Sequence, residues 1–179
     1  MNKKVITFLI MILWLVISLG LIASKQYTIS TGKKVLLETV PVDPRDFLRG
    51  DYIILNYKIS DLDLSIVSPN KSDFKPGKNI YVKLEPREKY WAAVSIKEKN
   101  DIKTDEIIVK GKIKHNYQQG HLMVSYGIEN YFVPEGKGKE IEQSMRRGSG
   151  NTVSVEAIVD KFGNAVINKL YINDNEVKF

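Results

Sequence analysis

The sequence predicts a mainly β protein: an amino-terminal transmembrane helix followed by one compact β-barrel or β-sandwich-like domain with one short helix. Three observations carry this. The stretch "VITFLIMILWLVISLGLIA", Val5 to Ala23, is 19 residues without a charge. Beyond residue 35, apolar residues recur at period two in about eight short runs divided by turn formers, the pattern of half-buried strands. Only Lys139 to Arg147, stopped by Gly148, has the look of a helix in the remainder. A chain of 179 residues is enough for about one such domain.

The elements follow in order. A hydrocarbon core of about 30 Å needs roughly 20 apolar residues in helical form. Val5 to Ala23 meets that length, with Lys3 and Lys4 before it and Lys25 after. Ser18-Leu19-Gly20 resembles a small-x-small cleavage site, so a cleaved signal is the alternative. The apolar run continues past it, and we expect an uncleaved anchor. Flanking lysines nearly tie on the two sides. A short tail before one early span then favours a cytoplasmic amino terminus and an extracytoplasmic carboxy-terminal domain. The organisation expected is an anchor over residues 1–26, a juxtamembrane linker over 27–34 and the exported β-rich domain over 35–179.

Val35 to Val40 is a short apolar run ending at Pro41. Tyr52 to Ile59 is a strand that places Ile53, Leu55, Tyr57 and Ile59 on one face, expected to be the core face, and Tyr52, Ile54 and Asn56 on the other. A buried Tyr57 would need a partner for its hydroxyl. Ser60 to Val67 has room for one short turn, and Ser68 to Gly77, with two prolines, reads as the longest loop. "IYVKLEP" and "YWAAVSIKE" form a hairpin around Arg87-Glu88-Lys89, with Val82 and Leu84 on one face and Ala92, Val94 and Ile96 on another. "EIIVKGKIK" holds Ile107, Val109, Gly111 and Ile113 in phase. "HLMVSYGI", "TVSVEAIVD" and "NAVINKLYIN" complete the strands. "LNYKIS" (55–60) and "VSYGIE" (124–129) share a tyrosine and an isoleucine two apart. This faint echo would fit two related halves of one sheet.

A dense group of charges stands just before the second strand. "VDPRDFLRGDYIILNY" (42–57) packs Asp43, Arg45, Asp46, Arg49 and Asp51 into nine positions. Asp43-Pro44 and Arg49-Gly50-Asp51 are turn formers. Exposed ion pairs contribute about 0–1 kcal/mol each, too little for stability alone to account for their density. The segment is therefore either a fastened turn or a recognition surface, and arginine suits the latter, since its planar fork holds a carboxylate at two points.

These residues carry a family resemblance. "GDYIILNY" (50–57) resembles the signature of the GDYXXLXY family of bacterial membrane-anchored proteins, through Gly50, Asp51, Tyr52, Leu55 and Tyr57. "VPVDPRDFLRG" and "YFVPEGKG" are similar to that family as well. The resemblance implies no particular activity. It implies a membrane partner, because family members are often fused to, or encoded beside, a multi-spanning membrane protein. A more distant likeness links "PRDFLRGDYIILN" to type I signal peptidases. The position of their nucleophilic serine falls on Val42, beside Asp43, so the acyl-enzyme route is missing here.

Composition narrows the remaining classes. The chain holds 27 basic and 21 acidic residues, a formal charge of +6. Residues 1–25 contain three lysines and no acid, which leaves 24 against 21, or +3, for the rest. The signs are interspersed and no basic stripe is present, which argues against nucleic acid. There is no cysteine. His115 and His121 lack a third ligand at zinc spacing. "PEGKGKE" lacks the phosphate-loop spacing. No catalytic residue, metal ligand or cofactor is assigned. The candidate binding residues are Arg45, Asp46, Arg49, Asp51, Tyr52 and Glu135, with Gly50, Leu55 and Tyr57 as structural members of the motif. The reading is a non-catalytic exported domain that docks on a membrane-protein partner or ligand and holds to the bilayer through residues 5–23. A hydrolase built on carboxylates and a structural envelope component are the alternatives. If the two signature segments meet at one rim, Arg49 pairs with Glu135. A double-mutant cycle on these two, scored by thermal melting, then gives a coupling distinct from zero; a coupling of zero leaves the charged stretch an ordinary turn.

Overall fold

The computed structural model describes residues 3–41, 52–68, 74–98, 106–117, 120–145 and 148–178. The first element, α1, runs without a break over Lys3–Thr31. Its residues are exposed throughout, except Thr28. It is long and apolar enough to cross a membrane. The helix extends past the apolar run, and after Gly32 the chain enters β1 (Lys33–Val40) directly. Residues 27–34, expected as a linker, are thus the last helical turn, one glycine and the first two residues of a strand.

Two five-stranded sheets follow. The first has the order β12-β11-β10-β1-β3, with β3 at Asn56–Tyr57, β10 at Val153–Val159, β11 at Ala165–Ile172 and β12 at Asn175–Glu176. The second has the order β4-β8-β7-β5-β6, with β4 at Asp61–Asp63, β5 at Asn79–Arg87, β6 at Tyr90–Lys97, β7 at Ile107–Asn116 and β8 at His121–Ser125. A short pair, β2 (Tyr52–Ile54) with β9 (Asn130–Phe132), bridges them. β1 lies against β6 without a ladder between them, so the sheets curl into a nearly closed barrel with a seam. Among the described residues of the domain the helical turns are a 3-10 turn at Lys58–Ser60, α2 at Leu64–Val67 and α3 at Gly138–Met145. α3 sits where the sequence placed its helix and buries Ile141 and Met145.

The alternation read from the sequence sets the core. Ile53, Leu55, Tyr57 and Ile59 are all buried, as are Ile80, Val82 and Leu84 of β5. β10 is buried on both faces: Val155 and Ala157 point inward, while Ile158 is covered from outside at the junction with α1. On β6 the period fails. Leu84 pairs with Ala93 but Lys83 pairs with Ser95, so Val94 is an extra residue in a bulge. The core face accordingly reads Trp91, Ala93, Ile96, and not Ala92, Val94, Ile96. A bulge puts two residues opposite one, and this inverts every later position on the strand. β11 repeats the device, with Ile167 and Lys169 paired and Asn168 skipped.

The echo between residues 55–60 and 124–129 acquires a geometric meaning. The Tyr57 hydroxyl donates to the Ile128 carbonyl at 2.5 Å, and the Tyr126 hydroxyl donates to the Ile59 carbonyl at 2.6 Å. Each tyrosine reaches the isoleucine of the other copy. Leu55 N–H also donates to the Glu129 carbonyl. Burial, with the nearby Glu129 carboxylate second, raises both phenols above their ordinary pKa, so both remain protonated donors. The Tyr126 ring fits because position 111 is a glycine: a Cβ there would collide with Val124 and stand 3.1 Å from the Tyr126 ring. Gly111, in phase with the core residues of β7, is the hollow in which that ring sits.

Removing one hydroxyl strands a buried carbonyl, which costs about 1–3 kcal/mol. Tyr57→Phe and Tyr126→Phe should each lower the denaturant midpoint by that order, whereas Tyr81→Phe, on a half-buried position, should change it little. Tyr57→Ala should cost about 3–5 kcal/mol through the loss of the ring. Equal midpoints for Tyr57→Phe, Tyr126→Phe and wild type would show that the crossed hydroxyls contribute nothing.

Candidate functional site

Of the residues singled out in the signature stretch, Leu55 and Tyr57 are core, at 0% and 1% exposure, so their part is structural. Tyr52 opens β2 and lies opposite Phe132. Arg45, Asp46, Arg49, Gly50 and Asp51 lie outside the described residues. Glu135 is exposed in the turn between β9 and α3. The pairing of Glu135 with Arg49 therefore lies outside the described residues too.

A concavity lies elsewhere among the described residues, on the seam between β1 and β6. It is an open cleft of about 700 Å³. One wall is Glu38 of β1 with Lys58 and β4. The other is the β5–β6 turn with Tyr90 and Trp91, and α2 forms the lip. The local sequence explains each part. Asp63 caps α2 by accepting from Ser65 N–H at 2.9 Å and from the Ser65 hydroxyl at 2.6 Å, and these bonds hold its carboxyl below the usual range. The cap fixes the direction of a four-residue helix and leaves Ile66 at 70% exposure, a large apolar side chain on the open lip. Trp91 packs its inner part on the core and also lines the cleft. The β5–β6 turn is held by an ion pair from Lys89 to Asp174 of the β11–β12 turn.

The cleft has a charge balance. Glu38, Asp61, Asp63 and Glu88 line it against Lys58 and Arg87. Lys58 bonds Glu38 at 3.1 Å, and Asp61 meets His121 at 2.9 Å, a bond that raises the pKa of the imidazole. Asp63 is committed to its cap. Shape, aromatic surface and an excess of negative charge are what the cleft offers to an incoming group. Among the described residues no group of three or more His, Cys, Asp and Glu side chains could hold a metal ion. Nothing in the sequence marks this cleft, because its residues come from six separate elements, β1, the 3-10 turn, β4, α2, β5 and β6, and each looks ordinary in its own element.

A second constellation joins the helix to the domain. Asp160 is 5% exposed and accepts from the Thr28 hydroxyl at 2.7 Å, the Asn164 side-chain amide at 3.0 Å, and the Phe162 and Asn164 N–H groups at 2.9 Å. Burial alone would raise its pKa; the four donors outweigh that and hold it below the usual carboxylate value. Gly32 makes the turn from helix to strand possible. A Cβ there would stand 2.5 Å from Ile158 Cγ2, 2.7 Å from the Thr28 carbonyl and 2.8 Å from the Val159 carbonyl. Two of these are backbone atoms that cannot step aside. Nothing in the sequence ties Asp160 to Thr28, 132 residues away.

Fold and site together define a barrel-like β domain with an open seam, carried on one long apolar helix. The family model described as GDYXXLXY protein matches residues 14–170, and the chain belongs to that family. No curated protein and no solved structure matches it.

The Asp160 knot gives a pH dependence with a definite sign. A carboxylate depressed in the folded state stabilises above its unfolded pKa, about 3.9, and the contribution is lost as pH falls through the folded value. The melting temperature of the wild type should fall more steeply than that of Asp160→Asn below about pH 4, after both are compared at neutral pH where the wild type is the more stable. Parallel curves for the two proteins would show that the carboxylate is not the group holding the turn.

Proposed function

We propose that this protein is a membrane-anchored, non-catalytic extracytoplasmic module that receives an apolar, basic loop of a multi-spanning membrane protein in the cleft between β1 and β6. The observation that carries the reading is the cleft itself. It presents Trp91, Tyr90 and a largely exposed Ile66 beside an excess of carboxylates. Aromatic residues in a partly dry groove are the side chains that contribute most to protein recognition. The carboxylates would steer and register a basic partner. Anchorage is supported by α1, whose exposed apolar surface calls for an apolar surrounding. Glu38, Asp61 and Asp63 of the cleft have structural partners, and no nucleophile with a base beside it stands among its described lining residues, which favours binding over hydrolysis.

The test is co-purification in detergent of the full chain with a multi-spanning membrane protein whose gene adjoins its own. Ile66→Asp and Trp91→Ala are compared with wild type. Capture should fall sharply for both. Ile66→Asp should melt as the wild type does, since its side chain is already in solvent. Unchanged capture by both variants would remove the cleft as the docking site. A cysteine placed at position 66 of this cysteine-free chain should react with an impermeant maleimide in intact cells; reaction only after lysis would reverse the orientation.

A further inference from the structure

We propose that the β domain has a lipid-contacting rim. It is formed by Phe132 at the end of β9 and by the Lys161-Phe162 turn, and it lies in the headgroup layer of the bilayer that α1 crosses. The inference rests on α1 as the span.

The height of the rim follows from the helix. The apolar run ends at Ala23, and α1 continues to Thr31. At about 1.5 Å per residue, Lys25 and Tyr27 stand roughly 3 Å and 6 Å beyond Ala23 along the axis. The headgroup layer on one side of a bilayer is about 5–7 Å deep. Lys25 and Tyr27 are therefore within it, and so is whatever touches them. Phe162 packs on Tyr27, with ring centroids 6.2 Å apart. Phe132 lines a shallow cleft of about 320 Å³ together with Lys25.

Both phenylalanines are exposed, Phe132 at 76% and Phe162 at 52%. A single exposed phenylalanine is ordinary on a soluble surface. Here two occur at the level of neighbouring turns of one helix, each next to a lysine. Lys161 Nζ lies 5.1 Å from the centre of the Phe162 ring, and Lys25 shares the cleft of Phe132. Two acidic groups among the described residues nearby, Asp160 and Glu129, are already engaged. Asp160 is buried in its four bonds, and the Glu129 carboxylate accepts from the Tyr126 and Gly127 N–H groups. Lys161 and Lys25 thus put basic charge beside the two rings. Aromatic rings beside lysines suit the interface, where apolar bodies enter the acyl boundary and cations meet anionic headgroups.

The absence of cysteine makes the test direct. Single variants Phe132→Cys, Phe162→Cys and, as control, Ile66→Cys of the full chain carry an environment-sensitive fluorophore. Each is placed in lipid nanodiscs with and without phosphatidylglycerol, and with a nitroxide lipid whose spin sits near the headgroup. The labels at 132 and 162 should be blue-shifted and quenched relative to 66, and more so with phosphatidylglycerol. Lys161→Glu should abolish the extra quenching that the anionic lipid gives at 162. Labels at 132 and 162 no more quenched than the one at 66 would overturn the rim and leave the span intact. A chain that does not enter the nanodiscs would overturn both. Should Phe132→Cys fail to fold, the label at 162 decides alone.

Discussion

Two hydroxyls crossing one another hold this domain together. Residues 52–63 and 121–132 run antiparallel, and the register of Tyr52 with Phe132 at one end is the same register that sets Leu62 opposite Leu122 at the other. Between those ends the first segment leaves its partner, so that Asn56 and Tyr57 can pair with Val40 and Thr39 of β1. A chain that departs from a ladder and returns to it in the same register needs a pin at the point of departure, since strands slip where pairing is weak. The reciprocal bonds of Tyr57 and Tyr126 are that pin. They are directional, buried and shielded from water, so leaving either unmade is costly. One segment thereby contributes to all three sheets, and the barrel can close.

The sequence disclosed what depends on neighbours two residues apart. Ile53, Leu55, Tyr57 and Ile59 point inward as their alternation implied, and the Tyr-x-Ile echo was visible before its use was known. It did not disclose what depends on a strand's partner. Nothing in "YWAAVSIKE" marks Val94 as a bulge; only its register against β5 does. α3 was legible from the run Lys139 to Arg147 ahead of Gly148, and in the structure it buries Ile141 and Met145. The cleft was hidden for the same reason as the bulge. Trp91, Ile66 and Glu38 are distant in sequence, and only the unladdered approach of β1 to β6 makes them walls of one space. Leu55 and Tyr57, the motif positions whose side chains are described, serve packing.

The seam is the cost of that closure. β1 is occupied by β10 along most of its length and by β3 at its end, and β6 carries a bulge that swings its edge. The remaining gap is spanned by side chains, with α2 laid over its rim. Edge strands are ordinarily blunted by charge or cover. Here Lys58, Glu38 and the α2 lip supply both, yet leave a hollow large enough for a guest.

Between helix and barrel the soft chain amounts to Gly32. Its neighbours on both sides are committed, Thr28 to Asp160 and Lys33 to the ladder with Val159. The domain consequently cannot tumble apart from its stalk. In a membrane its remaining freedom would be lateral drift and rotation about the helix axis, with the cleft sweeping a circle at one altitude. A protein in the same bilayer would meet it in a two-dimensional search, at the effective concentration that such confinement confers. Torque applied to an occupant of the cleft would pass to the helix as tilt, because nothing between them can bend to absorb it.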